Sequence, residues 1–493
     1  MFGSVYPALE ELKQPLSEEQ LTVLRNQLKS EEPKPSPQTQ FNYAWGLLKS
    51  PTRKHQQEAV VILTSLYKQE PSMRREVLYY LSLGSFKLGD YSNAKRYIET
   101  LLKSEPENSQ ALSLLENIND KIAQEGLIGI GVAGGVLAVG VGIIGALVRR
   151  TTAVIKQFND LNLKSGKPAT RSNGVTEWTV LASVVAIDDN RIVPITLATG
   201  VKVLPDKVRS YSQGGVVHDM HAEVLALRLF NYFLLEEAMN PQSSWIERRH
   251  KLKFKDVKLA LFVSEPPCGD ASMNYLSSSL ESNEAWASSR TGSFVRGRNN
   301  FDQLGVVRTK PGRTDSLISY SKSCSDKLCL KQLTGICNAA TAHIFEPIYL
   351  DYLVVNKVGV ADFDRCFKSR FQTEHVHYLE LLPYDTDAYE FHKADDKEPC
   401  PLSLLYVVPL NVHQVLNNGV KNGAFVKNRA PKPGGESIIS NNSFMKMLCR
   451  LCQIDQPTYN SFKMADTERQ ALKCSGQKLL RNWRHTSIDN FDL

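Results

Sequence analysis

Residues 126–148, GLIGIGVAGGVLAVGVGIIGALV, contain no charged side chain and end on Arg149-Arg150. As a helix rising 1.5 Å per residue, such a run reaches roughly 34 Å, enough for a bilayer core of about 30 Å. Its eight glycines would make a poor helix in water, where each costs about 1 kcal/mol relative to alanine. Membrane helices tolerate glycine and pack through it, and Gly131 and Gly135 stand at GxxxG spacing. The run reads as a single transmembrane helix; the alternative is a buried, glycine-rich soluble helix. It also divides the chain. With 493 residues the protein is too long for one ordinary domain, and composition differs on the two sides. Residues 1–150 hold 17 Lys+Arg against 16 Asp+Glu and no cysteine, whereas residues 151–493 hold 42 against 36 and all nine cysteines. An odd, unevenly spaced set of cysteines with no secretory signal ahead of it points to a reducing compartment and to metal-bound or buried thiols.

Residues 1–125 have helical periodicity and few strand signals. PKPSP at 33–37 breaks the chain after one short helix. A repeat then recurs at a spacing of 35: Trp45 with Tyr80, Leu48 with Leu83, Ala59 with Ala94, Leu63 with Ile98, Leu66 with Leu101, Pro71 with Pro106. A small residue where helices cross and a terminating proline make this the tetratricopeptide pattern. Two such units bury little alone, so flanking helices are expected to close an all-α bundle. FNYAWGLLKS (41–50), RREVLYYLSLGSFKLGDYSNAKRYIETLL (74–102) and the glycine-rich run with its basic end resemble the mitochondrial fission 1 protein family. That resemblance implies a cytosol-facing adaptor anchored in the mitochondrial outer membrane through residues 126–148. It also implies a part in recruiting a dynamin-related fission GTPase through adaptor proteins.

After Arg150 the pattern changes. TEWTVLASVVAI (176–187) and RIVPITLATG (191–200) read as paired strands around an Asp188-Asp189-Asn190 turn. VVHDMHAEVLALRLF (216–230) opens an apolar helix with His221-Ala222-Glu223, and VKLALFVSEPP (257–267) is a buried strand delivering Cys268 to another helix start. This βαβα order predicts a three-layer α/β domain over residues 151–493, with metal ligands at helix N-termini. His-x-Glu followed by Pro-Cys is a signature of zinc-dependent deamination, with Glu223 as general acid–base and not a ligand. Cys324, in SCSDK, supplies the third ligand: one imidazole and two thiolates leave a fourth tetrahedral position open for water. Histidine near glutamate is commonplace; the three pieces together carry the reading.

A second cysteine three residues after the first would be the simpler cytidine-deaminase arrangement, but that position is Ala271. With the ligand displaced to Cys324, HAEV, EPPCGDASM, SCSDKL and IFEPIYLDYLVV (344–355) resemble the adenosine deaminases acting on RNA. VRTKPGRTD (307–315) favours the tRNA branch of that family over the mRNA-editing branch. The resemblance implies adenosine-to-inosine conversion in tRNA, on the 3′ side of the anticodon. It implies zinc on His221, Cys268 and Cys324, and an inositol hexakisphosphate held by Arg228, Lys327, Tyr459, Lys463, Lys473 and Trp483. Leu227, Leu330 and Arg469 depart from the editing enzymes' pattern for that ligand, and Asp219 with Lys327 would relay charge between the phosphate and zinc sites. Between the zinc cysteines, Arg290, Arg296, Arg298, Arg308, Lys310 and Arg313 punctuate a Gly/Ser/Asn-rich stretch. It reads as a phosphate-contacting rim around a flipped-out adenosine, the alternative being a solvated loop. Cys449 and Cys452, at CxxC spacing without other paired ligands, read as helix packing, the alternative being a second metal or redox pair.

The halves conflict in topology. A single span at 126–148 would put adaptor and deaminase on opposite sides of a membrane. A natural fusion with altered topology, a processed or separately started product, and two neighbouring genes read as one would each resolve this; the last is favoured, since each half looks nearly complete. Made separately, the deaminase would be cytoplasmic or nuclear. Fission adaptor as the main role, or mRNA editing, are the alternative functions.

Overall fold

The computed structural model describes residues 16–32, 35–131, 153–188, 191–279, 295–297, 303–310, 317–382, 384, 389–486 and 489–493. They divide into two compact units, Met1–Val141 and Gly142–Leu493.

The first unit is helical: α1 (Glu18–Ser30), α2 (Pro37–Lys49), α3 (Arg53–Gln69), α4 (Arg74–Lys87), α5 (Tyr91–Ser104) and α6 (Ser109–Gly131). Ser17 and Gln20 form a reciprocal capping box at the start of α1, and Ser36 caps α2, where Pro37 takes the first position. The 35-residue repeat is a burial repeat. Ala59 and Ala94, Leu63 and Ile98, and Leu48 and Leu83 are all at most 1% exposed. The paired alanines stand in the second helix of each hairpin, α3 and α5, fully buried where a larger side chain would push neighbouring helices apart. Helices α1 and α6 pack on α2 and α5 and close the bundle as expected. Trp45 is half-buried under the Lys49 ammonium, 3.9 Å from its ring. The first six residues of the expected membrane span lie at the end of α6; residues 132–152, which hold the rest, are outside the described residues. Among the described residues no helix is long and apolar enough to cross a membrane.

The second unit is a mixed sheet between helices. After helix α7 (153–160) come β1 (Thr176–Trp178), β2 (Leu181–Asp188), β3 (Arg191–Pro194), β4 (Thr196–Thr199), β5 (Val201–Val203), β6 (Asp219–His221) and α8 (Ala222–Met239). They are followed by β7 (Lys258–Val263), α9 (Met273–Ser279), α10 (Cys324–Thr334), β8 (Tyr352–Val355), β9 (Glu380–Leu382), β10 (Lys397–Pro399), β11 (Leu402–Val407), β12 (Val412–Asn417) and β13 (Val420–Lys421). Helices α11 (Asn441–Leu451), α12 (Tyr459–Ala465) and α13 (Thr467–Leu479) end the chain. The nine-stranded sheet runs β9-β8-β7-β2-β4-β11-β12-β13, with β3 also on β2. Alternation along β2 sorts two cores. Ala182, Val184 and Ala186 face α8 with Leu225, Leu229 and Phe230, while Leu181, Val185 and Ile187 face α7 with Val154, Ile155 and Phe158. That is the expected three-layer arrangement.

The strands are shorter than the periodicity of 176–187 and 191–200 suggested. Thr176–Trp178 leaves the main sheet to pair in parallel with Lys397–Pro399, and the Thr179 N–H that follows it donates to the Phe391 carbonyl at 3.1 Å. Pro194, with no N–H to give, ends β3.

Candidate active site

Three chain segments converge at the N-terminal end of α8. His221 is its N-cap, held in extended conformation by pairing with Val201 across β5–β6. Cys268 follows β7, and Gly269 (φ 106°) lets the backbone pass so closely that a Cβ there would lie 2.1 Å from Ser323 Oγ. Cys324 opens α10 behind the Ser323 N-cap. The donor atoms of His221, Cys268 and Cys324 all lie within 4.8 Å of one another, with His221 Nδ1 3.6 Å from Cys268 Sγ. Tetrahedral zinc with ordinary bond lengths places a nitrogen and a sulfur ligand about 3.6 Å apart. The donor set and its spacing therefore fit a zinc ion. The sulfur of Cys324, Lys310 and His221 hold the Cys268 thiol well below its usual range, as a ligand thiolate requires.

Glu223 is the second residue of α8, two positions after His221, and is 4% exposed. Burial pushes its carboxyl up, the His221 imidazole opposes this, and the Cys268 sulfur adds to it. Such a group exchanges protons nearer neutrality than an exposed glutamate.

Behind the ligands runs a buried charge chain. Lys327 donates to Asp219 and to Ser321 Oγ. Asp219 accepts from Lys310 Nζ at 2.8 Å, and Lys310 Nζ lies 3.2 Å from Cys324 Sγ. Burial alone would raise the Asp219 carboxyl, but Lys310, Lys327 and His221 overcome it and hold it well below the carboxylate range. Burial works against the Lys310 charge, and Asp219 with the two sulfurs more than restores it.

This corrects part of the expected RNA rim. Lys310 is 3% exposed and Arg308 1%, so neither offers a charge to an external phosphate. Lys310 serves the ligand sphere, and the Arg308 guanidinium donates to the Gly297 and Gln303 carbonyls. Arg296 is half-buried; Arg290, Arg298 and Arg313 lie outside the described residues. Cys449 is exposed and does not pack as expected, whereas Cys452 packs against the core.

The residues expected around inositol hexakisphosphate gather on the far side of Lys327. Arg228, Lys327, Tyr459, Lys463, Lys473 and Trp483 are all partly buried. Arg228 donates to the Ile439 carbonyl and Asn441, and Tyr459 stacks on Phe491 at 4.8 Å. Sequence reasoning missed Lys322, Lys331 and Arg209. Lys331 was findable, since it lies four residues after Lys327 on the same face of α10. Burial, with Arg469 and Lys327 nearby, pushes the Lys331 ammonium down to about 7. Burial plus Lys473 takes Lys463 to about 8, and burial plus Lys327 takes Lys322 to about 8. Cations under this much mutual repulsion call for a polyanion. Leu227 and Leu330 are buried in the main core, while Arg469 caps the end of α10 through the Thr334 and Cys337 carbonyls. No local pattern pointed to His218, whose Nε2 lies 3.2 Å from Asp489 Oδ2 across 271 positions.

Comparison with known proteins agrees with both halves. The adenosine-deaminase (editase) domain matches residues 196–486, and the N- and C-terminal Fis1 tetratricopeptide repeats match residues 38–70 and 75–127. The chain belongs to the adenosine-deaminase (editase) family through its second unit and to the mitochondrial fission 1 family through its first. It is 35% identical to tRNA-specific adenosine deaminase 1 of Schizosaccharomyces pombe, over 67% of this chain and 92% of that protein. It is 70% identical to the mitochondrial fission 1 protein of Candida albicans, over 30% of this chain and 96% of that protein. A solved yeast Fis1 in complex with an Mdv1 fragment matches at 45% identity, covering 25% of this chain and 98% of that one, with a TM-score of 0.24.

Proposed function

We propose that residues 151–493 carry out zinc-dependent hydrolytic deamination of adenosine to inosine in tRNA, next to the anticodon on its 3′ side. The observation that carries this reading is the meeting of His221, Cys268 and Cys324 beside a buried Glu223, in a chain whose relatives include tRNA-specific deaminases. Those three side chains would hold the ion. Zinc, when bound, supplies a Lewis acid that brings the pKa of a water toward 7. Glu223 takes the proton of the attacking water on a carboxylate oxygen and hands it to the adenine ring nitrogen. A second proton passes through Glu223 to the exocyclic amine, so the water oxygen ends on the ring carbon and ammonia leaves. Lys310, through Asp219 and Lys327, keeps Cys324 beside a fixed positive charge. Inositol hexakisphosphate is the polyanion we assign to the pocket of Arg228, Lys327, Tyr459, Lys463, Lys473 and Trp483, which adds Lys322 and Lys331. The experiment uses the full chain loaded with zinc and inositol hexakisphosphate. It should convert adenosine to inosine in tRNA, and Glu223→Ala should not. Activity surviving that substitution removes Glu223 from the mechanism.

Residues 1–125 we read as a fission adaptor domain and residues 126–148 as its outer-membrane anchor, recruiting a dynamin-related GTPase through adaptor proteins. The burial repeat at 35 residues and the relatives of this segment support it. Residues 1–150 fused to a fluorophore should label mitochondria; a diffuse signal rejects the anchor. Antibodies against each half then decide whether cells hold one chain or two shorter ones. Two products would match our reading of neighbouring genes read as one, and a single product would overturn it.

A further inference from the structure

The only large aromatic side chain exposed in the loop after β13 is Phe425, at 44%. Residues 419–435, GVKNGAFVKNRAPKPGG, carry Lys421, Lys427, Arg429 and Lys432 and no acidic residue. All four cations are exposed, and no ion pair to any of them is found among the described residues. The loop nonetheless has a fixed base. Lys421 N–H donates to the Gly435 carbonyl at 3.0 Å, and Val420 and Ala424 are buried against Val208 and Val216. Asn428 (φ 57°) and Gly423 (φ 87°) turn the backbone between these anchors. The base is tied to the active site, since Val217 N–H donates to the Gly419 carbonyl at 2.8 Å. Val217 precedes His221 by four residues, at most about 14 Å of extended chain.

Leaving a phenylalanine in water while burying its smaller neighbours gains nothing for folding. Placing it among four unneutralised cations gives instead a stacking face inside a phosphate-attracting rim. Single-stranded nucleic acid is bound by that combination, through base–aromatic stacking and backbone ion pairing. We propose that the loop 419–435 is a docking finger for the RNA substrate. Phe425 stacks on an unpaired base, and Lys427, Arg429 and Lys432 contact phosphates flanking the one whose adenosine enters the site. This takes over the role that the sequence assigned to Arg308 and Lys310, and it rests on the tRNA-deaminase reading above.

The test measures the full chain binding an unmodified tRNA transcript over a range of salt concentrations. Lys427→Ala/Arg429→Ala/Lys432→Ala should flatten the slope of log affinity against log salt by about 2–3, at roughly 0.7–0.9 for each phosphate no longer neutralised. A charge-matched control, Lys255→Ala/Lys478→Ala/Arg481→Ala, should leave the slope as in the parent. Phe425→Ala should weaken binding by roughly 5- to 150-fold, and Phe425→Trp should restore it. Equal slopes for the loop triple and the parent overturn the proposal, as does a Phe425→Leu chain that binds like the parent. If the loop variants bind tRNA normally but lose capture by anionic vesicles or an acidic protein, the loop serves a different partner and the proposal falls. Thermal melts of each variant separate a weaker grip on RNA from a damaged fold. A parent chain that deaminates tRNA while the loop variants bind it unchanged rejects the finger alone; a parent that neither binds nor deaminates tRNA rejects the underlying reading as well.

Discussion

Replacing Lys310 by methionine tests the buried charge chain at its centre. The ammonium lies 3.2 Å from Cys324 Sγ and 2.8 Å from Asp219 Oδ2. At an effective dielectric of about 20, a unit pair at the first distance is worth roughly 5 kcal/mol. The net loss is smaller than that gross figure, because methionine also removes the cost of burying the ammonium. The net effect belongs with other losses of a partner behind a metal ligand, about 10- to 100-fold in metal affinity, or about 1.4–2.7 kcal/mol. Zinc affinity, read by competition with a chromophoric chelator, should fall by that factor. Asp219 (7% exposed) would be left with one cation, so the variant should also melt early. Adding Asp219→Asn should not restore the melting temperature, because it leaves the Lys327 ammonium without its carboxylate partner. Lys310→Met chains that hold zinc within twofold of the parent would refute this account of the chain.

Three further outcomes follow from the same geometry. Glu223→Gln should cost about 10²–10⁴-fold in turnover while zinc content measured by atomic emission stays at one per chain; loss of the metal would mean that Glu223 acts on the ligands. Gly269→Ala should abolish zinc binding, because the added Cβ would meet Ser323 Oγ at 2.1 Å at a φ of 106°, forcing Cys268 and Cys324 apart; an unchanged metal content counts against that steric reading. Without polyanion, stability should rise with pH between about 7 and 10. Lys331, Lys463 and Lys322 are depressed to about 7, about 8 and about 8 when folded, so the unfolded chain binds more protons throughout that window. The penalty is fully present below pH 7. Saturating inositol hexakisphosphate should flatten the melting-temperature profile, and identical profiles with and without it would contradict a polyanion pocket.

Chain order alone was enough for whatever repeats or sits on a short stretch. Ala59 and Ala94 could be paired because each helical hairpin carries its own packing rule, and the structure buries both completely. His221 with Glu223, Cys268 and Cys324 were legible because helix N-termini and strand ends dictate where those side chains go within a few residues. Which charges lie inside was settled by packing. Lys310 and Arg308 look like surface cations in a polar, glycine-rich run. Lys310 becomes a buried partner solely because Asp219, 91 positions away, arrives on β6 with a carboxylate that burial would otherwise neutralise. His218 and Asp489, and Lys322 with Lys463, likewise come together only in the folded chain. A charge carries no local pattern that says whether water or another charge will surround it, and that choice is made only when distant segments close over it.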